Sequence, residues 1–377
     1  MKVPFNRPTV APNQLEYVSQ SFASGHLSGD GPFTARATKL LSEIHNGSRV
    51  LLTTSCTSAL ELSALLLDLH PGDEVIVPSF TFVSSANAFV IMGAQIVFAE
   101  VEPDTFSIST RTVEKLITPR TKAIVAVNYG GHPSVTDDLV ALAAQNNIVI
   151  VEDNAHGLFA SDEGSPLGTK SALSTLSFHE TKNITCGEGG ALVINDPTLI
   201  ERAEIIREKG TNRSLFFRGM IDKYTWVDKG SSYLMSDINA AILTAQLEHA
   251  EVIQQRRRQA FCLYMEGLSD WAYKVGAQLP HHLAREDRPA HLFPILMPSL
   301  DSRMGIIEFA KTNDVQLTFH YVPLHHSPAG KKFGNYADDF RNTQDISDTL
   351  VRLPLFSDMD SRDSSRVIEV LLEFDGI

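Results

Sequence analysis

The sequence predicts an α/β fold: a large domain on a mainly parallel seven-stranded sheet, followed by a smaller C-terminal α+β domain. Apolar β-rich runs alternate with helical segments through the first two thirds of the chain, the order that builds a parallel sheet with crossover helices. Several of these runs are nearly continuous in Val and Ile, as strands covered on both faces require. After about Ser232 the alternation gives way to a long helical stretch.

Strands are predicted at 49–53, 74–77, 95–101, 122–128, 148–152, 173–178 and 191–194. Helices fall between them at 58–68, 84–92 and 136–146, with polar residues or Gly and Pro at their ends. A single long helix is predicted over 234–264, then shorter strands and helices, with a polar loop at 279–289. This change of pattern divides residues 1–247, the large domain, from residues 248–377, the small one.

Composition narrows the function. A chain of 377 residues with 43% hydrophobic and 20% charged side chains can fill two cores. Its formal charge of −13 opposes a nucleic-acid or anionic-membrane partner, since either needs a basic face. Cys56, Cys186 and Cys262 show no CxxC or CxxH spacing, and no acidic or histidine cluster has ligand spacing, so neither disulfides nor a metal are expected. The first residues, Met1-Lys2-Val3-Pro4-Phe5-Asn6-Arg7-Pro8, lack the apolar run of a signal peptide, and a reducing, cytoplasmic setting is expected.

Three local features invite a chemical reading. In Leu51-Leu52-Thr53-Thr54-Ser55-Cys56-Thr57-Ser58-Ala59, an apolar strand runs through hydroxyl residues into a helix. Such a junction offers free N–H groups to a phosphate, with Thr57 and Ser58 as added donors; a simple helix cap is the competing reading. In Ile148-Val149-Ile150-Val151-Glu152-Asp153, an acidic pair ends a very apolar strand, where α/β sheets gather ligands. If Asp153 faces the cleft, it is the better placed of the two, because strand side chains alternate. In Leu176-Ser177-Phe178-His179-Glu180-Thr181-Lys182, a lysine follows a strand end in a loop with a serine, before Gly187-Glu188-Gly189-Gly190. That lysine is placed to capture an aldehyde cofactor while the hydroxyl reaches the same cofactor's phosphate. These glycines do not form GxGxxG, and GxxxxGK[ST] and GxSxG are absent, which removes the commonest dinucleotide, nucleotide-hydrolase and serine-hydrolase readings.

Taken together, Gly29-Asp30-Gly31, Pro71-Gly72-Asp73-Glu74-Val75-Ile76-Val77-Pro78, the Glu152-Asp153 strand end, Ser177-Phe178 with Lys182, and Tyr321-Val322-Pro323-Leu324-His325 resemble the DegT/DnrJ/EryC1/StrS sugar aminotransferases. The resemblance implies the fold-type I architecture of pyridoxal 5'-phosphate (PLP) enzymes. It implies that Lys182 holds PLP covalently and then shuttles a proton, and that Asp153 partners the pyridine nitrogen. It places Phe82 on the cofactor ring, Thr57, Ser58 and Ser177 on the phosphate, and His156 near the ring hydroxyl. A homodimer with shared active sites is implied, with Ser232 at the position where many relatives supply a phosphate-binding asparagine to the neighbouring subunit.

Within the family, residues 177–183, 208–213, 222–226 and 230–236 are similar to the branch that makes dTDP-4-amino-4,6-dideoxygalactose for enterobacterial common antigen. That likeness implies dTDP-4-dehydro-6-deoxyglucose, a dTDP-keto-deoxysugar, as acceptor and L-glutamate as donor. His179, Tyr321 and His325 are expected at the sugar. Arg207, Lys209, Arg213, Arg218 and Lys223 are expected to neutralise a diphosphate. A 3-keto acceptor or the opposite C4 epimer is the rival. A sugar dehydratase of the family is disfavoured by an intact Lys182, and a ligand sensor by the lack of a DNA-binding extension.

Overall fold

The computed structural model describes residues 2–336 and 339–376. All seven predicted strands form, each within two residues of its predicted ends: β1 (Arg49–Thr53), β2 (Glu74–Pro78), β3 (Gln95–Ala99), β4 (Thr121–Val127) and β5 (Val149–Asp153) precede a two-residue hairpin, β6 (Ser161–Asp162) and β7 (Ser165–Pro166). β8 (Leu173–Ser177) and β9 (Gly190–Ile194) complete the seven.

The sheet has eight strands rather than seven, in the order β1-β9-β8-β5-β4-β2-β3-β11, where β11 (Gly334–Asn335) comes from the C-terminal part of the chain. Strands from β8 to β11 along this order run parallel, and β9 is antiparallel to both β1 and β8. β11 carries no hydrophobic pattern to betray it. It docks because Gly334 comes so close to Phe98 that a Cβ would lie 2.2 Å from the ring.

Both faces of the sheet are covered, which explains the unbroken Val and Ile runs. Val75, Val77, Ile96, Val125 and Val151 pack with Leu60 and Phe89 from the helices Cys56–Leu66 and Ser84–Ile91. Ile76, Val97, Ile124 and Ile150 face the other way and join one continuous cluster with Phe261, Tyr264, Phe293 and Val351. The C-terminal elements in that cluster surround a two-stranded antiparallel sheet, β10 (Phe293–Leu296) with β12 (Leu350–Leu353).

The long helix expected over 234–264 is two helices, Asp237–Glu248 and Ala250–Val275, broken at His249, whose ψ of 7° leaves the helical range. Ser236 caps the first of them by accepting from the Asn239 amide. Asp237 is fully buried, and it accepts from the amides of Phe33 and Thr34 and from the Thr34 hydroxyl, so it caps the separate helix Pro32–Ile44. The Gly29-Asp30-Gly31 motif follows from this docking, because a Cβ on Gly31 would lie 2.5 Å from the Asp237 carboxyl carbon.

Candidate active site

The carboxyl ends of β5 and β8, the start of helix Cys56–Leu66 and the loop after β2 converge on a cavity of about 440 Å³. Its position obeys the rule that open α/β sheets bind ligands beyond their strand ends. Lys182, Asp153, His156, Ser177, Thr57, Phe82, His179 and Tyr321 all line it. Residues far apart in sequence are thus brought to one space, as expected for the cofactor pocket.

The loop between β8 and β9 fixes Lys182. The Phe178 amide donates to Gly189, the Phe178 carbonyl accepts from Cys186, and the Lys182 amide donates to the His179 carbonyl at 2.9 Å. Phe178 is fully buried and anchors the loop. Desolvation lowers the Lys182 amine from 10.5 to about 8, against the opposing pull of Cys56 and Asp153, so near neutral pH it sits close to the form that attacks a carbonyl.

Asp153 ends β5 with its side chain in the cavity, while Glu152 points to the other side, into a buried network with Asn128, Ser171 and the Gly168 amide. The Asp153 carboxylate accepts from Ser85 Oγ at 2.6 Å and from the Ala155 amide at 3.3 Å. Burial raises its pKa, and these hydrogen bonds and Lys182 hold it down. A cation placed against it would be held as its partner.

At the opposite end, the Cys56 and Thr57 amides open a helix and have no acceptor within it. The Thr57 hydroxyl shares a 2.7 Å hydrogen bond with Ser84, which also lines the cavity. Ser58 does not line it. Its amide and hydroxyl are held by Ser55, and its hydroxyl also meets Thr54, so it braces the cap from behind. Gly190 lets β9 press against this helix end, since a Cβ there would fall 2.3 Å from the Ser55 carbonyl carbon. Overpacking of this kind costs about 1–3 kcal/mol. Gly190→Ala should therefore weaken PLP binding by about tenfold in a cofactor titration; unchanged affinity would mean that the helix end yields freely.

His156 accepts from the Gly130 amide through Nδ1 at 3.3 Å, which puts its proton on Nε2. Burial holds its pKa well below the usual value and keeps the ring neutral. Phe82 is 57% exposed at the cavity mouth, whereas Phe80 two residues earlier is in the core. An exposed aromatic ring at a cavity of this kind is available to cover a flat ligand.

Five expected site residues lie elsewhere. His325 is buried behind the cavity, hydrogen-bonded to Ser79 Oγ at 2.6 Å and stacked on Phe340, so it does not reach a sugar bound beside Lys182. Arg213 and Arg218 face a separate cleft of about 540 Å³, where they meet Glu208 and Glu204. Arg207 belongs to that cleft too and holds Asp30 through two hydrogen bonds. Ser232 is exposed, outside this cavity, in a backbone bridge with Glu208.

The structure also adds residues that the sequence reading missed: Cys56, His291, His320 and Arg352. Burial raises the Cys56 thiol to about 12, so it stays protonated beside Lys182 and Asp153. Arg352 and His291 lie in the C-terminal part of the chain without any motif around them. His320 directly precedes the recognised Tyr321, and that adjacency was the one available signal.

The DegT/DnrJ/EryC1/StrS aminotransferase profile matches residues 8–372. The chain belongs to this family. It is 30% identical over 373 residues to the uncharacterised protein MJ1066 of Methanocaldococcus jannaschii, covering 97% of this chain and 95% of that one. It superposes on Helicobacter pylori PseC, an aminotransferase involved in the biosynthesis of pseudoaminic acid, with a TM-score of 0.90 and 25% identity over 99% of each chain. A candidate sugar aminotransferase of Streptococcus pneumoniae, solved in a PLP form and a PMP form, matches with a TM-score of 0.88 and 26% identity over 98% of each chain. The protein is therefore a PLP-dependent sugar aminotransferase with the fold-type I architecture. The cavity fits that cofactor: an amine for its aldehyde, a helix end for its phosphate and a buried carboxylate for its ring nitrogen.

Proposed function

We propose that the protein moves the amino group of L-glutamate to C4 of dTDP-4-dehydro-6-deoxy-D-glucose, giving dTDP-4-amino-4,6-dideoxy-D-galactose and 2-oxoglutarate. The reaction class rests on one observation, an intact Lys182 facing Asp153 across a single cavity. The choice of sugar rests on the likeness of residues 177–183, 208–213, 222–226 and 230–236 to the enterobacterial-common-antigen branch.

When bound, PLP supplies an aldehyde to carry the amino group and a conjugated ring to absorb electrons. Lys182 would hold that aldehyde through its amine, and the freed amine would be the group that moves a proton at the substrate carbon. Asp153 keeps the ring nitrogen protonated. The amides of Cys56 and Thr57, with Ser177, would hold the phosphate, and Phe82 at the cavity mouth would cover the ring. Neutral His156 donates from Nε2 toward the ring hydroxyl. Glutamate gives up its nitrogen and leaves as the keto acid, its new carbonyl oxygen coming from one water; the sugar ketone takes that nitrogen and releases its oxygen as another water, so no net water is consumed. The same lysine serves both halves.

A homodimer completes the site in this reading, with Ser232 and the basic residues of the 207–223 segment reaching the neighbouring subunit's cavity. Residues 1–247 form the cofactor domain and residues 248–377 the smaller one. Cys56, Cys186 and Cys262 are free thiols, in keeping with a cytoplasmic enzyme. To test substrate choice, the protein is given glutamate with either the 4-keto or the 3-keto dTDP-sugar and the product is identified by NMR. A 4-amino-4,6-dideoxygalactose product is expected, and a preferred 3-amino or 4-amino-glucose product overturns the assignment.

A further inference from the structure

We infer that His291 is a specificity-determining residue: its Nε2 accepts a hydrogen bond from the sugar hydroxyl on the carbon next to the reacting carbonyl. This rests on the transamination proposed above and adds to it a contact that reads the acceptor sugar. His291 stands just before β10 in the C-terminal part of the chain, yet it lines the same cavity as Lys182 and Asp153.

The backbone is bent to put it there. Ala290 has a φ of 44°, in the left-handed region that an alanine rarely enters. Arg257, buried in the helix Ala250–Val275, holds the bend: its Nε donates to the Ala290 carbonyl at 3.1 Å and its Nη2 to the His291 carbonyl at 2.5 Å. Backbone strain that a buried cation keeps in place marks a side chain whose position matters.

The proton on the ring is placed by the hydrogen bonds around it. Asn183, the residue after Lys182, donates through Nδ2 to the Pro289 carbonyl at 2.7 Å, a group that can only accept. Its Oδ1 therefore faces His291 Nδ1 at 2.8 Å, so the proton is on Nδ1 and Nε2 keeps a lone pair. Burial also keeps the imidazole neutral. Among the described residues nothing donates to Nε2, which opens to the cavity. The neighbouring imidazoles differ. His156, whose ring lies 4.4 Å from that of His291, spends a lone pair on the Gly130 amide, and His320 spends one on Arg352.

A free lone pair selects a ligand by what the ligand can donate. The cofactor's phosphate and ring oxygen accept, and its ring nitrogen has Asp153. Glutamate brings two carboxylates, which a lone pair repels, and a nitrogen that the transfer consumes. Sugar hydroxyls are the donors that remain. His291 is bonded to Asn183, next to Lys182, so it stands beside the group that handles the reacting carbon. In a 4-keto-6-deoxy sugar, C4 is flanked by C3, which carries a hydroxyl, and by C5, which carries the methyl group. The C3 hydroxyl is the donor nearest the reacting carbon.

The amino-loaded protein is mixed with the 4-keto dTDP-sugar or its 3-deoxy analogue, and the return of the visible cofactor band is followed by stopped flow. The wild type should favour the hydroxylated sugar by about tenfold, the scale of a hydrogen bond whose loss leaves a buried partner unpaired. Calorimetry on the PLP-loaded protein, with unreactive dTDP-6-deoxyglucose and its 3-deoxy analogue, should show the same preference. His291→Asn, whose amide nitrogen can replace Nδ1 as donor to Asn183 but leaves nothing at Nε2, should abolish the preference and slow the glutamate half-reaction by a much smaller factor. His291→Gln, whose amide oxygen reaches the Nε2 position, should keep the preference. A wild type indifferent to the C3 hydroxyl, a His291→Asn protein that keeps the preference, or an equal loss in both half-reactions overturns the assignment; the first of these needs no variant to fold. If the wild type prefers a 3-keto sugar, the choice of C4 falls alone, and the same outcomes are read with the hydroxyls on C2 and C4 removed in turn. Should glutamate fail to bleach the visible band, the transamination reading falls, and the calorimetric preference and its loss in His291→Asn still decide on the contact.

Discussion

Replacing Lys182 with alanine should remove the visible absorbance of the PLP-loaded protein and lower transamination by about 10³-fold or more, since proton transfer by a positioned side chain contributes about 10²–10⁴-fold and covalent capture of the cofactor is lost with it. PLP should still bind, because the helix end and Asp153 are untouched. A small primary amine added to the variant should restore part of the rate, as it replaces the missing base; a variant that keeps the visible band would displace Lys182 from its role. The pH dependence is set by burial. Desolvation brings the amine from 10.5 to about 8, with Arg352 pushing the same way and Cys56 and Asp153 opposing. Below about 8 the amine is mainly charged and must shed a proton before it attacks; above it the amine is neutral. Capture of added PLP by cofactor-free protein should therefore speed up as pH rises through about 8 and then level off. A rate that keeps climbing toward 10.5 would show that the pocket does not desolvate the lysine.

The strands were legible because burial on both faces leaves a mark in sequence: a strand that must avoid water twice is written in Val and Ile, as in Val75-Ile76-Val77 and Val149-Ile150-Val151. β11 leaves no such mark, being two residues held by a close glycine contact. The break at His249 was also hidden, because the residues on both sides have helical pattern and no Gly or Pro stands between them. The cofactor site divides the same way. Asp153 and Ser177 end strands and Thr57 and Lys182 follow them, so their order along the chain already places them at one edge of the sheet. Arg352 is brought there only by how the C-terminal layer docks, and a lone arginine in Leu350-Val351-Arg352-Leu353 reads as a snorkelling surface charge. Arg213 and Arg218 show the other side of this: a basic stretch suggests an anion site in sequence, while within one chain their charges meet Glu208 and Glu204.

Asp153→Asn should lower kcat by about 10- to 1000-fold while leaving the fold intact. The amide keeps the size of the carboxyl group: its oxygen can replace Oδ1 as acceptor for the Ala155 amide, and its NH2, in place of Oδ2, can donate to Ser85 Oγ, so the main change is the lost charge. A carboxylate facing a protonated nitrogen raises the nitrogen's pKa by about 1–3 units, and each unit is worth a factor of ten. Without that charge the ring nitrogen loses its proton near neutral pH, and electrons leaving the substrate carbon have a poorer place to go. Burial makes the charge count. Asp153 is only 6% exposed, so little solvent screens it, and although burial alone would push it toward the neutral acid, Ser85, the Ala155 amide and Lys182 favour the ionised form. Ser85 is therefore the lever on Asp153: removing its hydroxyl lets the carboxyl pKa rise, so a Ser85→Ala enzyme should lose activity on the acid side of its pH profile at a higher pH than the wild type does. Steady-state rates across pH, with the position of the acid limb as the readout, decide the matter. An unshifted limb in Ser85→Ala, together with an undiminished kcat in Asp153→Asn, would mean that the ring nitrogen draws its proton from some other group.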